Sequence, residues 1–142
     1  MDTPTYRGPI TRGTSKQNSL REIIGAMTIK SNKQKGRRLQ QWVVSKLLLL
    51  LPGVKTDDVV SRPMGSNGDD IMLSPYARKL FPYSIECKNQ EKLNLWSAWQ
   101  QTQKNSSDFQ PLLIVGKNKQ RPLAVVDAEH YFELTGWKKH NA

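Results

Sequence analysis

The sequence predicts a mixed α/β domain on three observations. A helical apolar period runs from Leu39 to Leu51; alternating segments follow around Val59, Ile71 and Tyr83–Lys88; and a further helix then separates these from two more strands. Helices and strands are thus interleaved along the chain. The 142 residues suffice for one core and carry no internal repeat. Two regions are expected: a basic N-terminal arm with a short helix over 1–32, and the α/β domain over 33–142.

Residues 1–18 mix Thr, Pro, Gly, Arg and Lys without apolar periodicity and read as an extended arm. Ser19-Leu20-Arg21-Glu22 has capping-box spacing ahead of Ile23, Ile24 and Met27, which predicts a short helix near 20–29. The polar stretch Ser31–Lys35 separates it from a second helix, whose apolar residues Leu39, Trp42, Val43, Leu47, Leu50 and Leu51 keep a helical period up to Pro52-Gly53. Val59-Val60 and Asp69–Leu73 read as strands joined by the turn residues Arg62–Gly68. Residues 74–82, bounded by Pro75 and Pro82, read as a loop. Tyr83–Lys88 alternates as a strand, with Ser84, Glu86 and Lys88 on one face. A helix capped by Asn94 is expected over Leu95 to about Asn105, then strands at Pro111–Val115 and Leu123–Val126, then a short helix at Ala128–Leu134.

Charge narrows the choice of partner. The chain has 22 Lys and Arg against 12 Asp and Glu, a formal +10, and residues 1–55 alone hold 11 basic and 2 acidic side chains. Such a balance points to a polyanion, and Lys33, Lys35, Arg37 and Arg38 around the start of the Leu39 helix are the expected phosphate contacts. The longest apolar run, Leu47–Leu51, is far below the ~20 residues of a bilayer span, so no membrane partner is expected and the cytoplasm of a bacterial or phage-infected host cell is the expected location. One Cys and two His exclude a disulfide framework and a thiolate or imidazole zinc cage, so any catalytic metal must be held mainly by oxygens.

Phosphate-binding loops, dinucleotide fingerprints, zincin helices and nucleophile elbows are all absent from the sequence. What remains is an acidic strand start, Asp69-Asp70-Ile71, followed by Glu86-Cys87-Lys88 on a strand. Carboxylates on adjacent strands can share Mg²⁺, which prefers carboxylate and water oxygens and activates water toward a phosphodiester. Lys88 emerges on the face of Glu86, where an ammonium can position that water or offset transition-state charge. The backbone carbonyl of Cys87 can complete the metal shell while its thiol faces the core.

Ser66-Asn67-Gly68-Asp69-Asp70-Ile71 together with Ser84-Ile85-Glu86-Cys87-Lys88 resembles the active-site signature of the PD-(D/E)xK nuclease superfamily. Size, the Lys/Gly/Arg-rich start of the Leu39 helix and the short downstream elements look most like its phage or archaeal Holliday-junction-resolvase-like endonucleases. The resemblance spans roughly residues 33–127. It implies a restriction-endonuclease-like core, a mixed β-sheet flanked by helices in αβββαβ order. It also implies a Mg²⁺- or Mn²⁺-dependent DNA endonuclease, with Asp70 and Glu86 as ligands, Asp69 in reserve and Lys88 as catalytic lysine. Many relatives place a Glu in the first helix, where this chain has Gln40 and Gln41; Gln40 borders the apolar face and is the expected active-site neighbour. Gln100 loosely matches a glutamine that some branches carry in the later helix.

Two other functions stay open at this level: a nuclease-like fold that only binds DNA, and a basic RNA-binding or assembly protein. A homodimer would supply the paired sites that junction resolution needs, with Ile23, Ile24, Met27, Tyr131, Phe132 and Trp137 as interface material. Trp96 and Trp99 read as packing aromatics rather than base-stacking platforms, His130 and His140 as surface residues, and Asp57 and Asp58 as part of the loop before the first strand.

Overall fold

A computed structural model describes residues 15–136. The chain divides into two compact units, Met1–Lys33 and Gln34–Ala142. Helix α1 (Ser15–Leu50) is continuous, where the sequence suggested a short helix, a polar break and a second helix. The 31–38 stretch has no proline, and its Lys, Gln and Arg residues are good helix formers. Its one glycine, Gly36, costs only about 1 kcal/mol relative to alanine, so polarity alone does not end the helix. Ser19 therefore lies within α1 and not at a helix start.

In the second unit, α1 buries Leu39, Val43 and Leu47, and Leu51 just past its end continues the i,i+4 stripe, while Leu49 and Leu50 stay exposed. The stripe belongs to a core shared with Val59, Ile71, Ile85, Leu112 and Ile114 from the strands, each buried side chain contributing about 1.5–3 kcal/mol. Strands β1 (Val59–Ser61) and β2 (Ile71–Leu73) form an antiparallel pair. Strand β3 (Tyr83–Asn89) runs parallel to β4 (Gln110–Gly116), which pairs antiparallel with β5 (Leu123–Val125). The sheet is thus two small sheets, β1-β2 and β3-β4-β5, and not one mixed sheet. The mixed α/β class holds in this form.

Residues 75–80, expected as loop, form α2 (Pro75–Leu80). Pro75 occupies the first turn, where its missing N–H has no intrahelical role, and Ser74 Oγ accepts from Ala77 N–H at 3.1 Å as the N-cap. Helix α3 (Leu95–Asn105), capped by Asn94, connects the parallel strands β3 and β4. Helix α4 (Ala128–Leu134) is capped by Asp127 and linked to β3 by a 2.6 Å hydrogen bond between His130 Nε2 and Tyr83 Oη, so His130 is a packing residue and not a free surface histidine. At the far end of β4, a Cβ on Gly116 would lie 3.2 Å from Leu39, so glycine lets α1 approach the sheet closely. No helix among the described residues is long and apolar enough to cross a membrane.

Candidate active site

Asp70 sits where the β1-β2 pair meets β3. Its N–H donates to Ile85 O at 2.9 Å and its carbonyl accepts from Arg62 N–H at 2.8 Å, so its main chain stitches the two sheets at one point. Two residues further along β3, Cys87 N–H donates to Asp70 Oδ2 at 2.7 Å. A carboxylate thus accepts from a β3 main-chain N–H, and the bond holds Asp70 beside Glu86.

Glu86 is only 3% exposed. Its Oε1 accepts from Asn105 Nδ2 at 2.7 Å, a bond that holds its carboxylate from the last turn of α3. Burial raises its pKa from 4.5 to about 7. The Asn105 bond opposes that shift, the neighbouring Asp70 carboxylate adds to it, and Lys88 offsets part of it. Two carboxylates this close, one of them desolvated, form a site that a cation would relieve.

Asp70, Glu86, Cys87 and Lys88 all line one cavity of about 600 Å³. Its other walls come from Gly36 and Gln40 on α1, the Arg62–Gly68 turn, and Gln101, Lys104 and Asn105 on α3. The glycine-rich turn keeps its shape partly because Gly68, at φ 111°, has the Arg62 guanidinium 3.1 Å from where a Cβ would sit. Gln40 is buried, its Oε1 accepts from the Ser61 hydroxyl, and its Nε2 lies 3.8 Å from Met64 Sδ. It occupies the place expected for an active-site neighbour, and Gln41 is exposed. Gln100 is also exposed and does not reach the cavity; its neighbour Gln101 does. One residue is about 100° of helix, enough to exchange wall for solvent.

Asp69 has a different role. Its Oδ1 pairs with Arg62 at 3.1 Å, and its Oδ2 meets Arg78 at 3.5 Å and accepts from Ser84 Oγ at 3.2 Å. Arg62 Nε also donates to the Asp69 carbonyl at 2.6 Å. The reserve ligand is therefore buried and engaged with two arginines, and it does not itself line the cavity, although Arg62 does. Asp58 is likewise structural: its Oδ1 accepts from Ser74 Oγ at 2.6 Å and its Oδ2 from Lys55 N–H at 2.8 Å, bonds that lower its pKa.

The thiol of Cys87 packs against the core, and burial pushes its pKa well up, so it is no nucleophile at neutral pH. Lys33 is exposed in the first unit; in the second, Arg37 and Arg38 are exposed, whereas Lys35 is half-buried with its carbonyl accepting from Asn89 Nδ2 at 3.3 Å. None of the four lines the cavity. Trp96 is 74% exposed, which overturns its reading as a packing aromatic, because α3 buries the Ala98 and Thr102 stripe instead; Trp99 is half-buried. Trp137 and His140 lie outside the described residues, as do the side chains of Ile23, Ile24 and Met27.

Sequence inspection missed Asn105, Gln101 and Lys104. Helical periodicity carried the only signal: Gln101 and Asn105 are i,i+4 on α3 and share a face. Among the described residues no three His, Cys, Asp or Glu side chains converge, so the donor set is two carboxylates with amide and main-chain oxygens. That set fits a hard cation such as Mg²⁺, which retains several waters. Comparison with protein-family models, curated proteins and solved structures finds no match to this chain.

Proposed function

We propose that the protein is a divalent-metal-dependent DNA endonuclease with a restriction-endonuclease-like core. The observation that carries this reading is the convergence of Asp70, just before β2, with Glu86 and Lys88 of β3 on one open cavity in a chain of charge +10. Asp70 and Glu86 would hold Mg²⁺ or Mn²⁺, with the Cys87 carbonyl as a further oxygen donor, and such a cation would supply Lewis-acid polarisation of the scissile phosphate. Lys88 donates to the attacking water or to a phosphoryl oxygen as negative charge builds on it. Asn105 fixes the Glu86 carboxylate, and Gln40 and the Arg62–Gly68 turn shape the space over the reacting group. Lys33, Lys35, Arg37 and Arg38 bind flanking phosphates, and a homodimer supplies a second active site for the opposite strand.

Nicking of supercoiled plasmid is the test. Cleavage should require Mg²⁺ or Mn²⁺, stop with EDTA, and be lost in Glu86→Gln and Lys88→Ala proteins that still fold and bind DNA. Metal-independent cleavage, or near-normal cleavage by either variant, would overturn the assignment.

A further inference from the structure

The cavity around Glu86 has neighbours along the same face of α3 and β3. Lys88 and Gln101, which line it, also line a smaller recess of about 230 Å³ with Asn94 and Ser97 at the start of α3. Gln90 and Leu93 line that recess and continue into a third, open one of about 430 Å³, between the segment after β3 and the β4-β5 turn. The three recesses thus lie side by side, from two carboxylates and an ammonium, past polar side chains, to a mostly apolar pocket.

The third recess has an apolar floor of Leu93, Val115 and Leu123, with Leu123 left 65% exposed. Its rim carries Lys117 and Arg121, and the amides of Gln90 and Gln120 face the same space. The rim carboxylate, Glu91, accepts from Asn118 N–H at 3.1 Å, so it is used to hold the turn. That turn is closed by Gln120 N–H on Lys117 O at 3.1 Å and tied to the sheet by Gln90 N–H on Gly116 O at 3.1 Å. The wall is therefore built before any ligand arrives.

A nucleobase has flat apolar faces and a polar edge, and its chain carries a phosphate on each side. An apolar floor, side-chain amides and a cationic rim match those three parts. The bases of an intact duplex are stacked and paired and cannot enter such a recess; an unpaired nucleotide can. We infer that this recess holds an unpaired nucleotide of the strand whose backbone passes the Asp70–Glu86 cavity, which makes the substrate DNA with a single-stranded flank. The inference rests on the nuclease reading for the identity of its ligand. Its place two recesses from that cavity and the Lys117 and Arg121 side chains in its lining favour this occupant over a second copy of the chain.

Binding measured in EDTA keeps the test independent of cleavage. Fluorescence anisotropy would compare a blunt DNA duplex with the same duplex bearing a tail of about six nucleotides at either end, and with tails made of abasic sites. The base-bearing tail should tighten binding about tenfold, the gain expected from burying part of one base against Leu93, Val115 and Leu123. Abasic tails should lose most of that gain, and Leu123→Asp and Arg121→Ala, checked for folding by circular dichroism, should abolish it. Equal affinity for blunt and tailed duplexes, or for abasic and base-bearing tails, overturns the inference without needing any variant. Light scattering that shows a dimer dissociated by Leu123→Asp would assign the recess to a second copy and also overturn it. Tail preference in a protein that cuts nothing with Mg²⁺ or Mn²⁺ supports the recess and sinks the nuclease reading, so the two fail separately.

Discussion

At the scale of single residues, Glu86 is the side chain whose environment says most. Its folded pKa of about 7 lies above the ordinary 4.5, so between those values the folded state holds a proton that the unfolded chain has released. Without metal, stability from this group is full below pH 4.5 and is lost as pH rises through 7. Glu86→Gln keeps a neutral acceptor for Asn105, so its metal-free melting temperature should exceed the wild type's at pH 8, with the gap closing toward pH 5. Mg²⁺ at pH 8 should raise the wild-type melting temperature and leave the variant unmoved. A wild type insensitive to both pH and Mg²⁺ would remove Glu86 from the metal site.

The neighbouring aspartates divide in a way that differential scanning and cleavage assays can read together. Asp69→Ala leaves Arg62 and Arg78 without their shared carboxylate and should cost about 3 kcal/mol of stability, at the low end for a broken buried pair because Arg62 is partly exposed. Asp70→Asn should cost little stability and abolish cleavage. The opposite pattern would make Asp69 the ligand. The acidic pair at 69–70 was legible in the sequence, and the preference for Asp70 came from resemblance alone. The physical reason for the division, two arginines from different elements converging on Asp69, needed the fold.

At the scale of elements, α3 does more than cover the sheet. Its last turn supplies Asn105, whose amide both holds Glu86 and lowers its proton affinity. Asn105→Ala should therefore shift the acid limb of the pH–rate profile for plasmid nicking upward and reduce kcat/KM about tenfold or more, as a misplaced catalytic group does. An unchanged acid limb would reduce Asn105 to a structural contact. Strand and helix types after residue 54 followed largely from alternation, periodicity and caps, because those are local properties. The α2 helix escaped because a proline that opens a helix was read as one that bounds a loop. The separation of β1-β2 from β3-β4-β5 escaped because strand pairing depends on contacts between segments distant in sequence.

At the scale of the whole molecule, the +10 charge dictates how binding should respond to salt. Deleting residues 1–18 removes Arg7, Arg12 and Lys16. If all three meet DNA phosphates, the log–log salt slope on duplex DNA should flatten by about 2 to 3 units, near 0.9 for each phosphate. An unchanged slope would give the arm another purpose. Assembly is a second whole-molecule property: Tyr131, Phe132 and Leu134 on α4 are each more than half exposed. A homodimer should appear by light scattering at micromolar concentration, free or on a four-way DNA junction. A species of only 16.2 kDa in both conditions would indicate a monomeric nicking enzyme.

By itself the sequence determined the α/β class, the Leu39–Leu51 stripe, most strand positions and the basic charge, and it singled out Glu86, Lys88 and an adjacent aspartate as the candidate site. These follow from periodicity, turn chemistry and residue type, which act over a few residues. Only the tertiary structure decided that Asp70 and not Asp69 lines the cavity, that Gln101 and not Gln100 reaches it, and that Asn105 holds Glu86. Each of those depends on which groups from distant segments meet in a desolvated space, where a buried charge must find its partner and a step of one residue turns a side chain from wall to solvent.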